Sequence, residues 1–355
     1  MKKVIITTGG TGGHIYPALS VAKGLKDRNV DVLFVGSISR MEKDMVPKEG
    51  FRYEGLEVYP LKSIKTVFKM LKAVKNSIKI IKREKPDIVM GFGNYISLPM
   101  ITAAFLTRIP FYLQEQNANL GMTNKIFYKY SKKTFLAFEK TYDEIPIKYQ
   151  NKFKVTGNPL REEIYSIDKK TERENLKVEA NEKVLVITGG SLGARSINDA
   201  VLGEWERLKE EKNIRIYWAT GKEHYENISN NIEKRNMNDT IKPYFDNLIN
   251  IMAAADLVIC RAGALTISEL IELNKPSVII PYNSVKVGQY ENAMILEERE
   301  GTVIFNNDEG EEAVKTAIDL IKDDAQLQKM RIKLKVLKNA NATESIINSL
   351  DIWRS

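Results

Sequence analysis

The sequence predicts an α/β protein made of two Rossmann-like domains, each built on a parallel sheet, and three observations lead there. A strand-like apolar run opening into a glycine-rich turn occurs twice. Lys3-Val4-Ile5-Ile6-Thr7-Thr8 runs into Gly9-Gly10-Thr11-Gly12-Gly13-His14, and Lys183-Val184-Leu185-Val186-Ile187-Thr188 runs into Gly189-Gly190-Ser191-Leu192-Gly193-Ala194. Each opening is followed by a helical pattern, the strand–loop–helix start of an α/β unit. Further apolar runs alternate with helical patterns, as strands covered on both faces do. The length of 355 residues suits two domains.

In the first half, strands are expected at residues 32–35, 88–90, 111–113 and 134–138. In the second they are expected at 214–219, 257–260, 277–280 and 303–305. The break between halves falls near Val155-Thr156-Gly157-Asn158-Pro159-Leu160-Arg161, where Gly, Asn and Pro interrupt regular structure. The expected division is 1–159 for the first domain, 160–337 for the second and 338–355 for a terminal helical segment. Ile346, Ile347, Leu350 and Trp353 would form that segment's packing face.

A composition of 43% hydrophobic and 28% charged residues fits a globular chain and argues against disorder. The single cysteine, Cys260, excludes an internal disulfide and reads as a buried strand thiol, so a reducing compartment is expected. The apolar run Val4-Ile5-Ile6 is too short for a secretory core. No apolar stretch approaches the ~20 residues of a spanning helix. The expectation is a cytoplasmic protein, soluble or peripheral. A net charge of +8 favours anionic partners.

Glycine-rich turns at helix starts attract anions, because unpaired N–H groups and the helix dipole point at the same place. Glycines also let the backbone approach a ligand closely. Residues 9–13 and 189–193 are such turns, although neither is a strict dinucleotide or P-loop motif. His14 ends the first. It is either a general base near neutral pH or a structural hydrogen-bond partner of the loop. A third loop, Cys260-Arg261-Ala262-Gly263, leads into a helical stretch from Ala264 to Leu270. The amides of Ala264, Leu265 and Thr266 would face a pyrophosphate. Glu269 would accept bonds from a ribose diol, or would simply complement the helix dipole. The polar stretch after residue 280 holds Gln289 and Asn292, side chains suited to sugar hydroxyls.

Between residues 60 and 86 lie nine cations: Lys62, Lys65, Lys69, Lys72, Lys75, Lys79, Lys82, Arg83 and Lys85. Only Glu84 opposes them. Ile64, Val67, Phe68, Leu71, Val74, Ile78 and Ile81 recur at helical spacing. This is a basic amphipathic helix, either core-facing with a solvated charged face or docked on an anionic leaflet. No aromatic or helix-turn-helix signature for nucleic acid accompanies it.

Taken together, these motifs resemble the MurG family, the peptidoglycan N-acetylglucosaminyltransferases that convert lipid I to lipid II. The strings that carry the resemblance span nearly the whole chain. They are Gly9-Gly10-Thr11-Gly12-Gly13-His14, Gly91-Phe92-Gly93-Asn94-Tyr95-Ile96-Ser97, Glu115-Gln116-Asn117, Gly157-Asn158-Pro159-Leu160-Arg161, Gly189-Gly190-Ser191-Leu192-Gly193-Ala194 and Cys260-Arg261-Ala262-Gly263-Ala264-Leu265-Thr266-Ile267-Ser268-Glu269. The resemblance implies the GT-B fold, two Rossmann-like domains facing across a cleft. The first is implied to meet the lipid acceptor, the second to hold UDP-GlcNAc, and the terminal helix to return to the first. The implied reaction is inverting transfer of N-acetylglucosamine to the C4 hydroxyl of the muramoyl sugar, releasing UDP.

Carried over by position, the resemblance implies that Thr11, Gly12, Gly13 and Asn117 contact the sugar end of the donor. Arg161 and Ser191 would hold the diphosphate, and Phe245 would lie where backbone meets uracil. Ala264, Leu265, Thr266, Ile267 and Ser268 would cover diphosphate and uridine, with Glu269 on the ribose and Gln289 on the GlcNAc hydroxyls. His14 would be the general base, with Glu115 the other candidate. Glu115 and Tyr95 would line the acceptor side. Two positions depart from the family pattern: Gln114 stands where many relatives have His, and Gly288 precedes Gln289 with Lys286 near a position that is acidic in some relatives.

No metal-ligand cluster is evident, so no cofactor or protein-held metal is expected. Expected partners are UDP-GlcNAc, lipid I, the anionic inner leaflet and other cell-wall synthesis proteins, but not nucleic acid. The expected location is the cytoplasmic face of a bacterial membrane, as a peripheral protein. Two alternatives remain on the same fold or charge pattern. One is a transferase to diacylglycerol or a UDP-sugar epimerase; the other is a non-catalytic nucleotide-binding scaffold.

Overall fold

The fold comes from a computed structural model of the chain, which describes all residues except 61–62, 191, 233–238, 285–287 and 354–355. It contains two compact units. Unit 1 comprises residues 1–161 and 339–355, and unit 2 comprises 162–338.

Unit 1 holds a seven-stranded sheet: Lys3–Thr7 (β1), Asp31–Ser37 (β2), Arg52–Leu56 (β3), Ile88–Gly91 (β4), Phe111–Glu115 (β5), Lys133–Leu136 (β6) and Phe153–Val155 (β7). The strand order is β3-β2-β1-β4-β5-β6-β7, with every pairing parallel. Ile5 lies opposite both Leu33 and Val89, so β1 is central and covered on both faces. Val4 and Ile6 point into one core with Ile15, Leu19 and Ala22 of the helix Gly12–Lys26. Ile5 points into the other, with Met70, Ile80 and Met100. This alternation is why β1 reads as an unbroken apolar run.

Unit 2 repeats the plan with six strands: Lys183–Thr188 (β8), Ile214–Ala219 (β9), Thr240–Lys242 (β10), Leu257–Cys260 (β11), Ser277–Ile279 (β12) and Thr302–Ile304 (β13). The order is β10-β9-β8-β11-β12-β13, again all parallel. β8 is the counterpart of β1. In both sheets the winding direction reverses beside that strand, between β1 and β4 and between β8 and β11. Open α/β sheets bind ligands outside the strand carboxyl ends at this switch point.

Three strands escape the sequence pattern: β3, β7 and β10. All lie at sheet edges or beside them, and in β3 only Leu56 is buried. The tail also differs from a continuous helix. It forms a helix at Ala342–Ile347 and a 3-10 turn at Asp351–Trp353. Ile346, Ile347 and Leu350 join the unit 1 core, but its last apolar member is Ile352, whereas Trp353 is 41% exposed. Gly24 makes room for the tail, since a Cβ there would lie 2.6 Å from Ile347 Cδ1. Asp351 fixes its end, accepting from Tyr112 Oη at 2.9 Å and donating its amide to the same oxygen at 3.0 Å.

The basic helix spans Ile64–Glu84, capped by Ser63 and Thr66. Its core-facing residues are Met70, Ala73, Ser77, Ile80 and Ile81. Of the predicted apolar stripe only Ile81 is buried, while Ile64, Val67, Phe68 and Leu71 are exposed. The stripe on the first half of this helix therefore faces outward. Lys62 lies outside the described residues. Among the described residues, no helix is long and apolar enough to cross a membrane.

Candidate active site

The predicted unit 1 residues converge at the carboxyl ends of β1, β4 and β5. The turn after β1 carries Thr11, Gly12 and Gly13 into a 15-residue helix. Thr11 is its N-cap residue, but its side chain makes no cap hydrogen bond and the first turn holds no acid. The loop after β4 packs against this turn. Asn94 Nδ2 donates to Gly9 O at 3.1 Å, and Tyr95 N donates to Asn94 Oδ1 at 2.6 Å. Tyr95 itself rests partly buried on the second core of the unit.

The first turn is not an open anion site throughout. Glu42, fully buried, accepts from the amides of Gly10 and Ser37, each at 2.9 Å. A carboxylate of the protein itself thus sits where a phosphate would meet Gly10.

His14 Nδ1 lies 2.9 Å from Gln116 Oε1. Burial lowers the pKa of the imidazole below its ordinary value, opposed by the charge of Glu115 and by hydrogen bonds to Gln116 and the Phe92 backbone. Lowering favours the neutral ring that a base requires. The loop-partner reading of His14 is met at Nδ1, which faces Gln116 Oε1.

Glu115 is a different case. Oε1 accepts from the amide and the side chain of Asn117 at 3.1 and 3.2 Å. Oε2 accepts from Gly121 N at 2.7 Å and Asn124 Nδ2 at 2.8 Å. A carboxylate has about four lone-pair sites, and four donors engage this one. It is 1% exposed. Its geometry is that of a loop anchor holding residues 117–121.

Arg161, at the end of the first unit's main segment, lies over the ring of Tyr16, 5.3 Å from its centroid. Cys260 is fully buried and its thiol is pushed up to about 12 by burial, the inert strand residue expected.

In unit 2 the predicted residues surround the ends of β8, β10, β11 and β12. Gly193 has φ +78°, and a Cβ there would lie 2.3 Å from Thr220 O, so only glycine fits this approach of two loops. Ser191 lies outside the described residues, as does Lys286. After β11 the helix Ala264–Leu273 starts at Gly263, again with no side-chain cap. The amides of Ala264, Leu265 and Thr266 therefore open a helix whose N-cap residue is a glycine. Ile267 and Ser268 follow in the same helix. Ile267 is fully buried, and Ser268 Oγ donates back to Ala264 O at 3.0 Å.

Glu269 is the sixth residue of that helix, beyond its first turn, which weakens the dipole reading. Phe245 is 4% exposed and packs edge-on against Tyr217 at 6.1 Å, so its side chain is core and only its backbone can meet a base. Gln289 begins the helix Gln289–Glu297, and its Oε1 accepts from Tyr282 N at 2.8 Å. Asn292, expected to suit sugar hydroxyls, is instead 1% exposed and donates to Ala262 O at 3.1 Å, bracing the third loop. Arg261 braces it too, donating to Ile280 O, Pro281 O, Asn307 Oδ1 and Ser196 Oγ at 2.6–2.9 Å. Among the described residues no group of His, Cys, Asp and Glu is placed to hold a metal ion.

Residues that sequence reasoning gave no role include Glu42, Gln114, Asn158 and Asn124. Two of them stand in or beside the motif strings, Asn158 within Gly157-Asn158-Pro159 and Gln114 before Glu115-Gln116-Asn117. Nothing local marks Glu42.

Comparison with known proteins bears on both units. The glycosyltransferase family 28 N-terminal domain matches residues 4–136, and the glycosyltransferase family 28 C-terminal domain matches residues 184–348. A protein of Fusobacterium nucleatum is 56% identical over 355 residues, covering 100% of this chain and 99% of that protein. One of Clostridioides difficile is 35% identical, covering 98% and 85%. Both bear the name UDP-N-acetylglucosamine–N-acetylmuramyl-(pentapeptide) pyrophosphoryl-undecaprenol N-acetylglucosamine transferase. The crystal structure of Acinetobacter baumannii MurG is similar with a TM-score of 0.80 and 28% identity, covering 98% of this chain and 99% of that one. Two parallel-sheet units of this topology, matched in order by the two domain models, give the GT-B fold. The chain belongs to glycosyltransferase family 28.

Proposed function

We propose that this protein transfers N-acetylglucosamine from UDP-GlcNAc, with inversion, to the C4 hydroxyl of the muramoyl sugar of undecaprenyl-pyrophosphoryl-MurNAc-pentapeptide, lipid I. The products are lipid II and UDP. The observation that carries this reading is the 56% identity, over the full chain, to a relative named for that reaction.

Inversion takes a single displacement. The acceptor oxygen bonds to the anomeric carbon as the bond from that carbon to the diphosphate oxygen breaks, and the electron pair leaves with UDP. The hydroxyl proton goes to His14 Nε2. The lowered pKa of the ring keeps it neutral and ready to accept. The charge growing on UDP is met by the amides of Ala264, Leu265 and Thr266 and by Arg161, an electrostatic role that needs no reorganisation during the step. Ser191 assists at the diphosphate, and Glu269 takes the ribose diol. The backbone at Phe245 meets uracil. Thr11, Gly12, Gly13, Asn117 and Gln289 contact the GlcNAc, Gln289 through its Nε2. Tyr95 lines the acceptor side, and Glu115 holds the loop that carries Asn117. No cofactor enters the proposed step, and UDP-GlcNAc is a substrate.

The lipid-linked acceptor calls for a peripheral position on the cytoplasmic face of the membrane. The outward apolar face of Ile64, Val67, Phe68 and Leu71, among Lys65, Lys72, Lys75 and Lys79, supports docking on an anionic leaflet. Other cell-wall synthesis proteins would be met there.

The test is UDP release by the purified, folded chain. Release should require UDP-GlcNAc and lipid I together, and other UDP-hexoses should compete poorly. No turnover with that pair overturns the assignment; turnover with diacylglycerol, or epimerisation of UDP-GlcNAc alone, replaces it.

A further inference from the structure

A row of buried side-chain amides ends on the ring of His14. Asn158, Gln114 and Gln116 are 4%, 0% and 1% exposed. Each directs its NH2 at a backbone carbonyl. Gln114 Nε2 donates to Glu115 O at 3.1 Å, Gln116 Nε2 to Phe92 O at 3.2 Å, and Asn158 Nδ2 to Gln116 O at 3.0 Å. A backbone carbonyl only accepts, so these contacts decide which end of each amide is nitrogen.

The links between the amides then run one way. Gln114 Nε2 donates to Asn158 Oδ1 at 3.0 Å, and Gln116 Nε2 donates to Gln114 Oε1. Both hydrogens of the Gln116 NH2 are used, and its oxygen is left facing His14 Nδ1 at 2.9 Å. An oxygen acceptor there requires the proton on Nδ1. The neutral ring then carries its lone pair on Nε2.

We propose that Gln114 is a positioning residue: by accepting from Gln116 and donating to Asn158, it holds Gln116 in the orientation that keeps His14 in its Nδ1–H tautomer with Nε2 as the basic nitrogen. The kinetic part rests on the base role proposed above; the tautomer part does not. In the step, the acceptor proton arrives on Nε2, and the resulting imidazolium still donates from Nδ1 to Gln116 Oε1. In place of Gln114, an imidazole can also accept on one nitrogen and donate from the other.

The experiment uses the full chain labelled with 15N-histidine. Only two histidines are present, so His224→Gln leaves the signal of His14 alone. Two-bond 15N–1H correlation above the pKa of the ring should show Nδ1 protonated and Nε2 bare. The opposite tautomer in the unsubstituted chain overturns the proposal without any further variant. Gln114→Met removes both links at similar volume. It should mix the tautomers and lower kcat about tenfold or more, with the KM for UDP-GlcNAc within about twofold. Gln114→His should restore most of kcat. An unchanged tautomer in folded Gln114→Met also overturns the proposal. If the tautomer behaves as stated while His14→Gln turns over normally, the base assignment fails and the relay stands.

Discussion

Oε2 of Glu42 accepts the amide of Gly10 at 2.9 Å, and Oε1 takes the amide of Ser37 at the same distance. The first glycine turn therefore carries its own anion. A Cβ on Gly9 would lie 2.3 Å from Glu42 Oε1, which gives that glycine a reason of its own. The corresponding turn of unit 2 is different: Gly190 N donates to the neutral hydroxyl of Thr188 at 3.2 Å. Two turns with nearly the same sequence thus meet different side chains at this amide, a carboxyl in one and a hydroxyl in the other.

Replacing Glu42 by Gln should accordingly cost stability, not nucleotide affinity. One charge-assisted bond is lost and a buried amide is left poorly matched, about 1–3 kcal/mol. Urea unfolding followed by circular dichroism should show that loss, with UDP affinity by calorimetry within about twofold. A severalfold change in UDP affinity would relocate the diphosphate to the first turn.

How this asymmetry escaped the sequence explains what was legible. Glycine runs are local signals, so the three loops could be read directly. Central strands such as Leu257–Cys260 are apolar throughout and showed their own ends. Edge strands such as Arg52–Leu56 bury only one residue and did not. Glu42, Gln114 and Asn158 act through partners distant in the chain, and pairing between distant polar groups leaves no period. The basic helix shows the limit of periodicity itself. The spacing of Ile64, Phe68 and Leu71 marks a stripe but not the side it faces. The buried side uses Ala73 and Ser77, whose small side chains give a weak signal.

Glu269 offers a test at the nucleotide. One carboxylate accepting from two vicinal hydroxyls contributes more than either bond alone. Glu269→Gln should weaken UDP binding about tenfold, the equivalent of one charge-assisted bond. It should also bring UDP and 2′-deoxy-UDP to nearly equal affinity, whereas the unsubstituted chain prefers UDP. Titration calorimetry with both ligands reads this directly, and a preserved preference in the variant removes the ribose role.

The outward face of the basic helix predicts two separable membrane terms. A cation held near an anionic leaflet contributes about 1 kcal/mol, screened by salt. Lys69 is a poor probe, because its Nζ donates to Glu57 at 2.8 Å and lies over the Tyr59 ring. Lys65, Lys72 and Lys75 are exposed and suit the purpose. Changing these three to Glu should lower partitioning onto anionic vesicles at least about tenfold and leave neutral vesicles unaffected. Phe68→Ser with Leu71→Ser should lower both. Sedimentation with vesicles distinguishes the two, and equal binding by every variant would place the docking surface elsewhere.

His14 and Glu115 are separable by their pH dependence. Burial lowers the pKa of His14, and the charge of Glu115 partly restores it. A folded pKa below the unfolded value means that the unfolded chain binds the proton more readily. The stability associated with neutral His14 is present above the ordinary value of 6.5 and is lost as pH falls from there through the folded value. The acid limb of kcat/KM should accordingly lie below 6.5. Glu115→Gln removes the charge that raises the ring, so the limb should move to still lower pH while turnover survives on the plateau. His14→Gln should depress turnover at every pH, about a hundredfold or more. Were Glu115 the base, the order would invert: Glu115→Gln would abolish the plateau and His14→Gln would spare it. pH–rate profiles of the two variants, with folding checked by near-ultraviolet circular dichroism, decide between the residues. The four donors already on the Glu115 carboxylate are the reason to expect the first outcome.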